Sequence, residues 1–253
     1  METLNLSTLK LNGKTYAVEG ADTDAIYDEG YAAGQQAEYD RFWDNAQTNG
    51  NRVNYTGAFF GVLWNNETFC PKYDIRPDNA YNIFARCEIT DLVSTLDKAG
   101  VVLDFSQTTN FDGMFTWSSV RNVGIIDTRG AASISNMCSY GYNLTKIQKL
   151  ILKDDGSQSA GNAFTSCSNL TTLTIEGTIG QNGFDLHWSP LDKASIQSVI
   201  NALSATTTGL TVTLSQTAVN KAFETSSGAN DGSASAEWAT LTGTKTNWTI
   251  NLS

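Results

Sequence analysis

The stretch that decides the fold is Ala163-Phe164-Thr165-Ser166-Cys167-Ser168-Asn169-Leu170-Thr171-Thr172-Leu173-Thr174-Ile175-Glu176-Gly177. It contains an apolar pair, then a polar turn, and then apolar residues at the spacing Leu170-x-x-Leu173-x-Ile175. A polar turn followed by a short run rich in Thr, Leu and Ile predicts a turn that leads into one β-strand.

The same apolar spacing recurs earlier in the chain, and this recurrence predicts the architecture. It is found in Val120-x-x-Val123-x-Ile125 and Ile147-x-x-Leu150-x-Leu152, and Leu103-x-Phe105 fits its last two places. Met114 to Val120 is a near copy of the turn. We take Leu103, Val123, Leu150 and Leu173 as equivalent points. The steps between them are typical of leucine-rich repeats, in which one strand per repeat stacks in a parallel sheet.

The pattern changes after Gly177. Ser189-Pro190-Leu191-Asp192 predicts a helix start, with Ser189 as the cap and Pro190 in the first helical position, and Gly209 ends this helix. A strand at Leu210 to Leu214, a helical piece at Thr217 to Glu224 and a closing strand at Trp248 to Leu252 follow. These elements predict a helical C-terminal cap, so that residues 100–253 form the repeat domain with its cap.

Two elements are predicted in the N-terminal part. Alternating apolar residues around Asn12-Gly13 predict a hairpin or attachment segment in residues 1–20. Residues 21–48 contain no proline and predict a long helix. On this helix Tyr27, Tyr31, Gly34 and Phe42 share one stripe of aromatic and small residues. The stripe packs either on the protein's own body or on copies of itself, and it is our candidate for oligomerisation.

Residues 49–99 are dense in aromatic side chains, and we interpret them as a connector that caps the repeat domain. Pro71 and Pro77 favour extended or looped chain rather than helix. A sugar-stacking face is the alternative interpretation of its aromatic residues, which are Tyr55, Phe59, Phe60, Trp64, Phe69, Tyr73, Tyr81 and Phe84.

Charge and composition exclude several partners. The 253 residues carry 16 Lys+Arg against 26 Asp+Glu, a net charge of −10, so a nucleic acid would be repelled. The abundance of Thr, Ser and Asn suits a turn-rich β protein. The stretch from Met1 to Gly20 lacks the pattern of a signal peptide. No run approaches the roughly 20 apolar residues of a membrane span, so we expect no membrane insertion.

Chemistry-bearing residues are few. The four cysteines, Cys70, Cys87, Cys138 and Cys167, include no CxxC pair and are expected to be buried reduced thiols. His187 is the only histidine, which excludes a multi-histidine metal site. Asp154-Asp155-Gly156-Ser157 and Asn230-Asp231-Gly232-Ser233 look like calcium turns, but both lack the pattern of an EF-hand and are expected to be ordinary turns. We predict no catalytic, cofactor-binding or metal-binding residue and no cofactor.

Two resemblances add to these observations. Ala163 to Gly177 resembles the repeat unit of BspA-type leucine-rich repeat proteins, closely there and more loosely over residues 100–180. The second half of the chain, from Ser189–Ser195 through Asn247–Ile250, is similar to the C-terminal module of leucine-rich repeat proteins encoded by bacteriophages and prophages of gut bacteria. The stretch Tyr31 to Asp74 is similar to these proteins as well. The resemblances imply an α/β fold: an irregular leucine-rich repeat solenoid with parallel strands, preceded by a hairpin and a long helix.

The function expected on this basis is that of a non-enzymatic bacteriophage structural protein. It would lie in the tail, baseplate or fibre, assembled in the host cytoplasm and then extracellular with the virion. Expected partners are copies of itself, with a trimer favoured, other virion proteins, and a host cell-surface protein or glycan. The first alternative is a BspA-like bacterial surface adhesin, and the second is a carbohydrate-active enzyme using paired carboxylates.

Overall fold

The computed structural model describes residues 8–11, 14–17, 52–54, 74–223 and 235–253. The chain divides into two compact units, residues 1–51 and 52–253. In the first unit, strands β1 (Thr8–Leu11) and β2 (Lys14–Ala17) pair antiparallel on either side of Asn12-Gly13, where the sequence predicts a hairpin. The predicted helix at 21–48, with Tyr27, Tyr31, Gly34 and Phe42, lies outside the described residues.

The second unit combines short parallel sheets with helices. Its strands are β3 (Arg52–Asn54), β4 (Arg76–Asn79), β5 (Asn122–Asp127), β6 (Lys146–Ile151), β7 (Thr172–Glu176), β8 (Asp185–Leu186), β9 (Leu210–Leu214) and β10 (Trp248–Leu252). Its helices are α1 (Leu92–Ala99), α2 (Lys193–Ala202), α3 (Gln216–Phe223) and α4 (Ala236–Gly243). The sheets are β3-β4, β5-β6-β7 and β8-β9-β10, and every pair in them is parallel. The expected α/β class with parallel strands is confirmed.

The register of the central sheet corrects the predicted equivalences. Val123 pairs with Ile147, and Ile147 pairs with Leu173. The predicted match of Val123 with Leu150 is therefore wrong, because Leu150 pairs with Ile126. Strand β6 has two buried apolar residues, Ile147 and Leu150, which are three positions apart. The same separation lies between Leu170 in the turn and Leu173 in strand β7, so the sequence pattern alone fits two registers.

The turns before β5, β6 and β7 are joined to one another by backbone hydrogen bonds. Asn136, Cys138 and Tyr140 donate their N–H groups to the carbonyl oxygens of Gly161, Ala163 and Thr165 at 2.8–3.0 Å. The turn backbone is thus satisfied by its neighbour in the stack, as buried backbone must be. The turns have matching sequences: Ile83-Phe84-Ala85-Arg86, Met114-Phe115-Thr116-Trp117, Met137-Cys138-Ser139-Tyr140 and Ala163-Phe164-Thr165-Ser166.

Apolar residues from the turns and the strands form one continuous core between them. Phe84 and Phe115 stack with ring centroids 5.7 Å apart, and Phe164 contacts Phe184 at 5.3 Å. All four rings are almost fully buried. A buried Gln158 bonds to the backbone oxygens of Thr128 and Ala131 and to the Thr128 hydroxyl, which satisfies polar groups inside the core.

The parallel pairing starts before residue 100. Ile75 bridges to Leu103, Asn79 to Asn110 and Asp91 to Asn122. Ala80 and Phe84 also donate N–H groups to Asn110 and Met114, as the later turns do. The C-terminal part of the predicted connector therefore has the same turn and strand pattern as the repeats.

Helix α2 lies against the edge of β7 and takes the place of a further strand. The N–H groups of Leu173 and Ile175 donate to the hydroxyls of Ser195 and Ser198 at 2.9 and 2.8 Å. Positions i and i+3 of a helix lie on one face, so α2 presents two acceptors to one strand edge.

The predicted start and end of this helix are both wrong, since it ends at Ala202 with Leu203 as its C-cap and not at Gly209. Asp192, not Ser189, is the cap, and its carboxylate accepts from the Ser195 N–H at 2.8 Å. The Asp192 N–H donates to Thr171 O, and the backbone of Asp192 is extended (φ −71°, ψ 167°), so the helix begins after this residue.

The C-terminal strands and helices pack as a second apolar cluster. The strands at Leu210–Leu214 and Trp248–Leu252 are confirmed, and they pair with each other in parallel. The helix expected at Thr217 to Glu224 is found as Gln216–Phe223. Phe223 contacts Trp238 at 5.1 Å, and the Trp248 indole donates to Ser204 O at 2.9 Å. Strand β8 was not predicted, since so short a segment has no periodicity.

Candidate binding surface

Three exposed aromatic side chains, Trp117, Tyr140 and Tyr142, form a cluster on the turns before β5 and β6. Their exposed fractions are 49, 40 and 41%. Trp117 and Tyr140 stack with ring centroids 4.7 Å apart and planes at 12°. Tyr142 meets Trp117 edge-on at 5.5 Å and lies 6.3 Å from Tyr140. We call these residues the aromatic cluster.

The spacing of the cluster follows from the backbone. Trp117 and Tyr140 occupy the same place in successive turns, and parallel neighbours lie about 4.8 Å apart. Two rings projecting from such places are therefore held at the 4.7 Å that stacking requires. The sequence produces the stack by putting a large aromatic residue at the same turn position in two successive repeats.

Both stacked residues have a left-handed backbone conformation. The φ angles are 58° at Trp117 and 57° at Tyr140, and they are 55° and 61° at the matching positions Arg86 and Ser166. Left-handed backbone costs roughly 1–2 kcal/mol for a residue with a Cβ. Because all four matching positions share it, this conformation belongs to the turn itself, whichever side chain the position carries.

Asparagine side chains fasten the backbone around the cluster. The Asn169 amide donates to Tyr142 O at 2.5 Å, and the Asn143 amide donates to Ser118 O at 3.4 Å. Bonds of this kind tie each turn to the next repeat, so the cluster is positioned before any ligand arrives.

Of the four matching turn positions, which form a column, one carries a charged side chain. Arg86 precedes Trp117 in the column, with its N–H bonded to Thr116 O at 2.9 Å, and Ser166 follows Tyr140. In order, the column therefore carries the cation of Arg86, the rings of Trp117 and Tyr140, and the neutral hydroxyl of Ser166.

A second exposed aromatic site lies at the join between the repeats and the C-terminal helices. Trp188 is 57% exposed and its ring lies 4.7 Å from His187. The Asp185 carboxylate lies 2.7 Å from His187 Nδ1 and orients the imidazole. The hydroxyl of Ser189 donates to Cys167 O and is buried, so this group is not arranged as a Ser-His-Asp triad.

The outer face of the central sheet is mixed in character. Ile125 is exposed on it, and Lys149 pairs with Glu176 at 2.8 Å. A shallow depression beside α1 is lined by Asp91, Val93, Ser94, Asn122, Val123, Lys146 and Gln148. The sheet face offers contact area but no enclosed cavity at this place.

The described thiols are structural. Cys87, Cys138 and Cys167 are buried and unpaired, as predicted, and Cys70 lies outside the described residues. Burial raises the pKa of Cys87 to about 11 and that of Cys167 to about 12, and it raises the pKa of Cys138 well above its usual value. Such thiols stay protonated and are poor nucleophiles at neutral pH.

The proposed sugar-stacking residues and the two Asp-Gly-Ser turns are only partly covered by the described residues. Phe84 is fully buried and cannot be part of a sugar-stacking face, whereas Tyr81 is exposed. The remaining aromatic residues of that hypothesis lie outside the described residues, as does the turn at Asn230. In the first Asp-Gly-Ser turn, Asp155 accepts the Ser157 N–H at 2.9 Å, as in an ordinary turn.

The aromatic cluster was not predicted as a site. The sequence carried a usable signal, because aligning Met114-Phe115-Thr116-Trp117 with Met137-Cys138-Ser139-Tyr140 puts the two rings in one column. Tyr142 has no such signal, since its proximity to Trp117 depends on the path of the turn.

The described part of the chain offers no grouped metal ligands. Within residues 74–223 and 235–253, no three His, Cys, Asp or Glu side chains are close enough together to hold a metal ion. None of the helices in these ranges is both long and apolar enough to span a bilayer. Comparisons with protein-family models, with curated proteins and with solved structures found no match.

Proposed function

We propose that this protein is a non-enzymatic binding protein that is built from leucine-rich repeats and displayed on a bacteriophage particle, in the tail, baseplate or fibre. The observation that carries the proposal is the ladder of parallel strands and mutually bonded turns, which sets the aromatic cluster on an exposed surface at fixed spacing. An exposed surface whose side chains are already held at fixed spacing loses little freedom when it binds another molecule, so it suits recognition.

The repeat interpretation is supported by the register. Val123, Ile147 and Leu173 are matching strand residues in successive strands, and the turns before them share sequence and left-handed positions. The steps between the three residues fall within the length of a leucine-rich repeat. These are properties of a solenoid built from such repeats.

The location in a virion is supported by the resemblance of Ser189 to Ser195 and Tyr31 to Asp74 to bacteriophage-encoded modules. The test is to purify particles on a density gradient from a lysed culture of the phage-carrying host and identify their proteins by peptide mass spectrometry. We expect peptides of this chain to sediment with capsid and tail proteins. Recovery of the chain only from the cytoplasm of uninfected cells would falsify the assignment.

A BspA-like surface adhesin is the second candidate, because Ala163 to Gly177 resembles that family most closely. The two candidates differ in where the chain resides. Labelling with an antibody against the chain marks free particles in the first case. In the second case it marks the envelope of uninfected bacteria.

Self-association through residues 21–48 is the remaining part of the proposal, with a trimer favoured. Gly34→Asp places a charge in the stripe that includes Tyr31 and Phe42, and Gln36→Asp places the same charge off it. We expect light scattering to give a trimer mass for the native chain and the Gln36→Asp control, and a monomer mass for Gly34→Asp. A monomeric native chain contradicts this part.

A further inference from the structure

We propose that the aromatic cluster binds one sugar ring of a neutral glycan, which lies on the face of Tyr140 above Ser166. The inference deepens the proposed function and rests on it for its biological setting. Its physical argument depends only on the residues of the turn column.

The first step concerns which ring faces are open. Trp117 and Tyr140 cover one face of each other, because their planes are nearly parallel at 4.7 Å. The other face of Tyr140 points towards the next turn. That turn has the same backbone, since Tyr140 donates its N–H to Thr165 O and Ser166 has a φ of 61°. Ser166 has a small hydroxymethyl side chain where the preceding turns carry rings, so the stack ends at Tyr140.

The second step concerns the size of the place above Ser166. Strand spacing puts successive members of the column about 4.8 Å apart. One flat ring is about as thick as one such step, so a single ring fits in the place above Ser166. A pyranose has an apolar face of C–H groups, whose partially positive hydrogens are attracted to the electron-rich face of an aromatic ring.

The third step selects a small neutral ligand. The three rings together expose on the order of 300 Å², because each ring has up to about 250 Å² of surface and is somewhat under half exposed. A stable protein interface needs about 800 Å² on each partner. The cluster by itself is therefore too small for a stable protein interface and large enough for one or two sugar rings.

The fourth step uses charge. The net charge of −10 disfavours an anionic ligand. A neutral ring with hydroxyl groups does not meet this objection.

The test uses the purified full chain and an array of neutral hexose, deoxyhexose and N-acetylhexosamine oligosaccharides, with sulfated and sialylated oligosaccharides, tetramethylammonium and aromatic peptides as further probes. We expect binding to neutral oligosaccharides. Titration calorimetry with the best neutral oligosaccharide then gives the Kd for the native chain and its variants. An array in which only an anionic probe, the ammonium ion or a peptide binds overturns the assignment, and so does an array with no binding.

The variants locate the site by removing or filling it. Tyr140→Ala removes the ring face, and Ser166→Tyr places in the stack a ring that Trp117 and Tyr140 show this backbone position can carry. We expect each change to weaken binding at least tenfold. Tyr81→Ala, which removes an exposed ring elsewhere, is expected to stay within threefold of the native Kd.

Circular dichroism and a thermal unfolding midpoint establish that each variant is folded before its Kd is used. Oligosaccharide binding that survives both Tyr140→Ala and Ser166→Tyr overturns the site. This outcome is distinct from failure of the proposed function. A chain absent from purified particles leaves the sugar site standing, and a chain found in particles that binds no neutral glycan loses the site alone.

Discussion

The segments that carry β5 to β7 and those that carry β8 to β10 connect their parallel strands in different ways. In the first region, the turns bond to one another, and the equivalent strand residues Val123, Ile147 and Leu173 follow at nearly even steps. In the second, helices α2, α3 and α4 lie between the strands, and the step from Leu214 to Leu252 is clearly longer than the step from Leu186 to Leu214.

The difference shows what determines side-chain spacing. A helix satisfies its own backbone hydrogen bonds, so a helical connection can vary in length without leaving polar groups unpaired. A turn without internal bonds must find its partners in the neighbouring turn, which fixes its length and brings matching side chains to one strand spacing. The stacked rings of Trp117 and Tyr140 belong to the region where turns bond to turns.

The largest expected effect comes from breaking the close approach of two repeats. Gly177 has a φ of 93°, and a Cβ there would lie 2.3 Å from Leu152 O. We expect Gly177→Ala to lower the free energy of unfolding by about 3 kcal/mol or more, because both the backbone and its neighbour must shift. Urea denaturation followed by circular dichroism measures this.

The matched control lies in the helical region. Gly209 has a φ of 74° but nothing within 4 Å of a Cβ. Gly209→Ala should lower the free energy of unfolding by about 1 kcal/mol, which is the cost of holding a residue with a Cβ in the left-handed conformation. Equal losses in the two variants would mean that contact between the repeats is not the cause.

The next effect concerns the boundary between the two regions. Ser195→Ala removes the acceptor of the buried Leu173 N–H. An unpaired buried donor costs about 1–3 kcal/mol, and we expect a loss of about 2 kcal/mol in the same denaturation experiment. Ser198→Ala, whose bond to Ile175 is only partly buried, should cost less. The opposite order would show that α2 does not replace a strand at this edge.

A smaller effect compares the caps of two helices, one before the central sheet and one before β9. Asp192 caps α2, and Asp91 caps α1 by accepting from the Ser94 N–H at 3.0 Å. Replacing a capping aspartate by alanine costs about 1 kcal/mol. We expect both variants to lose about this much, measured as the shift in the thermal midpoint. A cost at Asp192 well above that at Asp91 would indicate that the whole C-terminal region depends on α2.

The smallest effect is a pH dependence in the central sheet. The Arg129 guanidinium hydrogen-bonds to Asp127 at 2.6 Å and holds the pKa of that carboxyl below its usual value of 3.8. The stability from this pair is present above that pH and is lost as the pH falls through the lower, folded-state pKa. We expect urea midpoints measured from pH 6 to pH 2.5 to fall less in Arg129→Gln than in the native chain. An identical fall in both proteins excludes the contribution.

The strands were predictable because their signal is local. Val123, Ile147 and Leu173 stand in short apolar runs after polar turns, and such runs are read from composition and spacing. The register of β6 was not predictable, since Ile147 and Leu150 fit the pattern equally well in two alignments. Only the hydrogen bonds between strands distinguish the two.

The candidate site was only partly visible in the sequence. The turn copies that place Trp117 and Tyr140 in one column are readable, but their exposure is not, because Phe115 and Cys138 in the same turns are buried. Helix α2 likewise shows its apolar face in the sequence. Its serines acquire their role only from the strand edge beside them.

By itself, the sequence determined the α/β class, the parallel strands, the existence of α2 and the positions of α3 and the closing strand, because period and turn chemistry are properties of neighbouring residues. The tertiary structure decided which repeat residues face each other, where α2 begins and which rings stack on the surface. These depend on hydrogen bonds between residues far apart in the sequence, such as Tyr140 to Thr165 and Asp192 to Thr171.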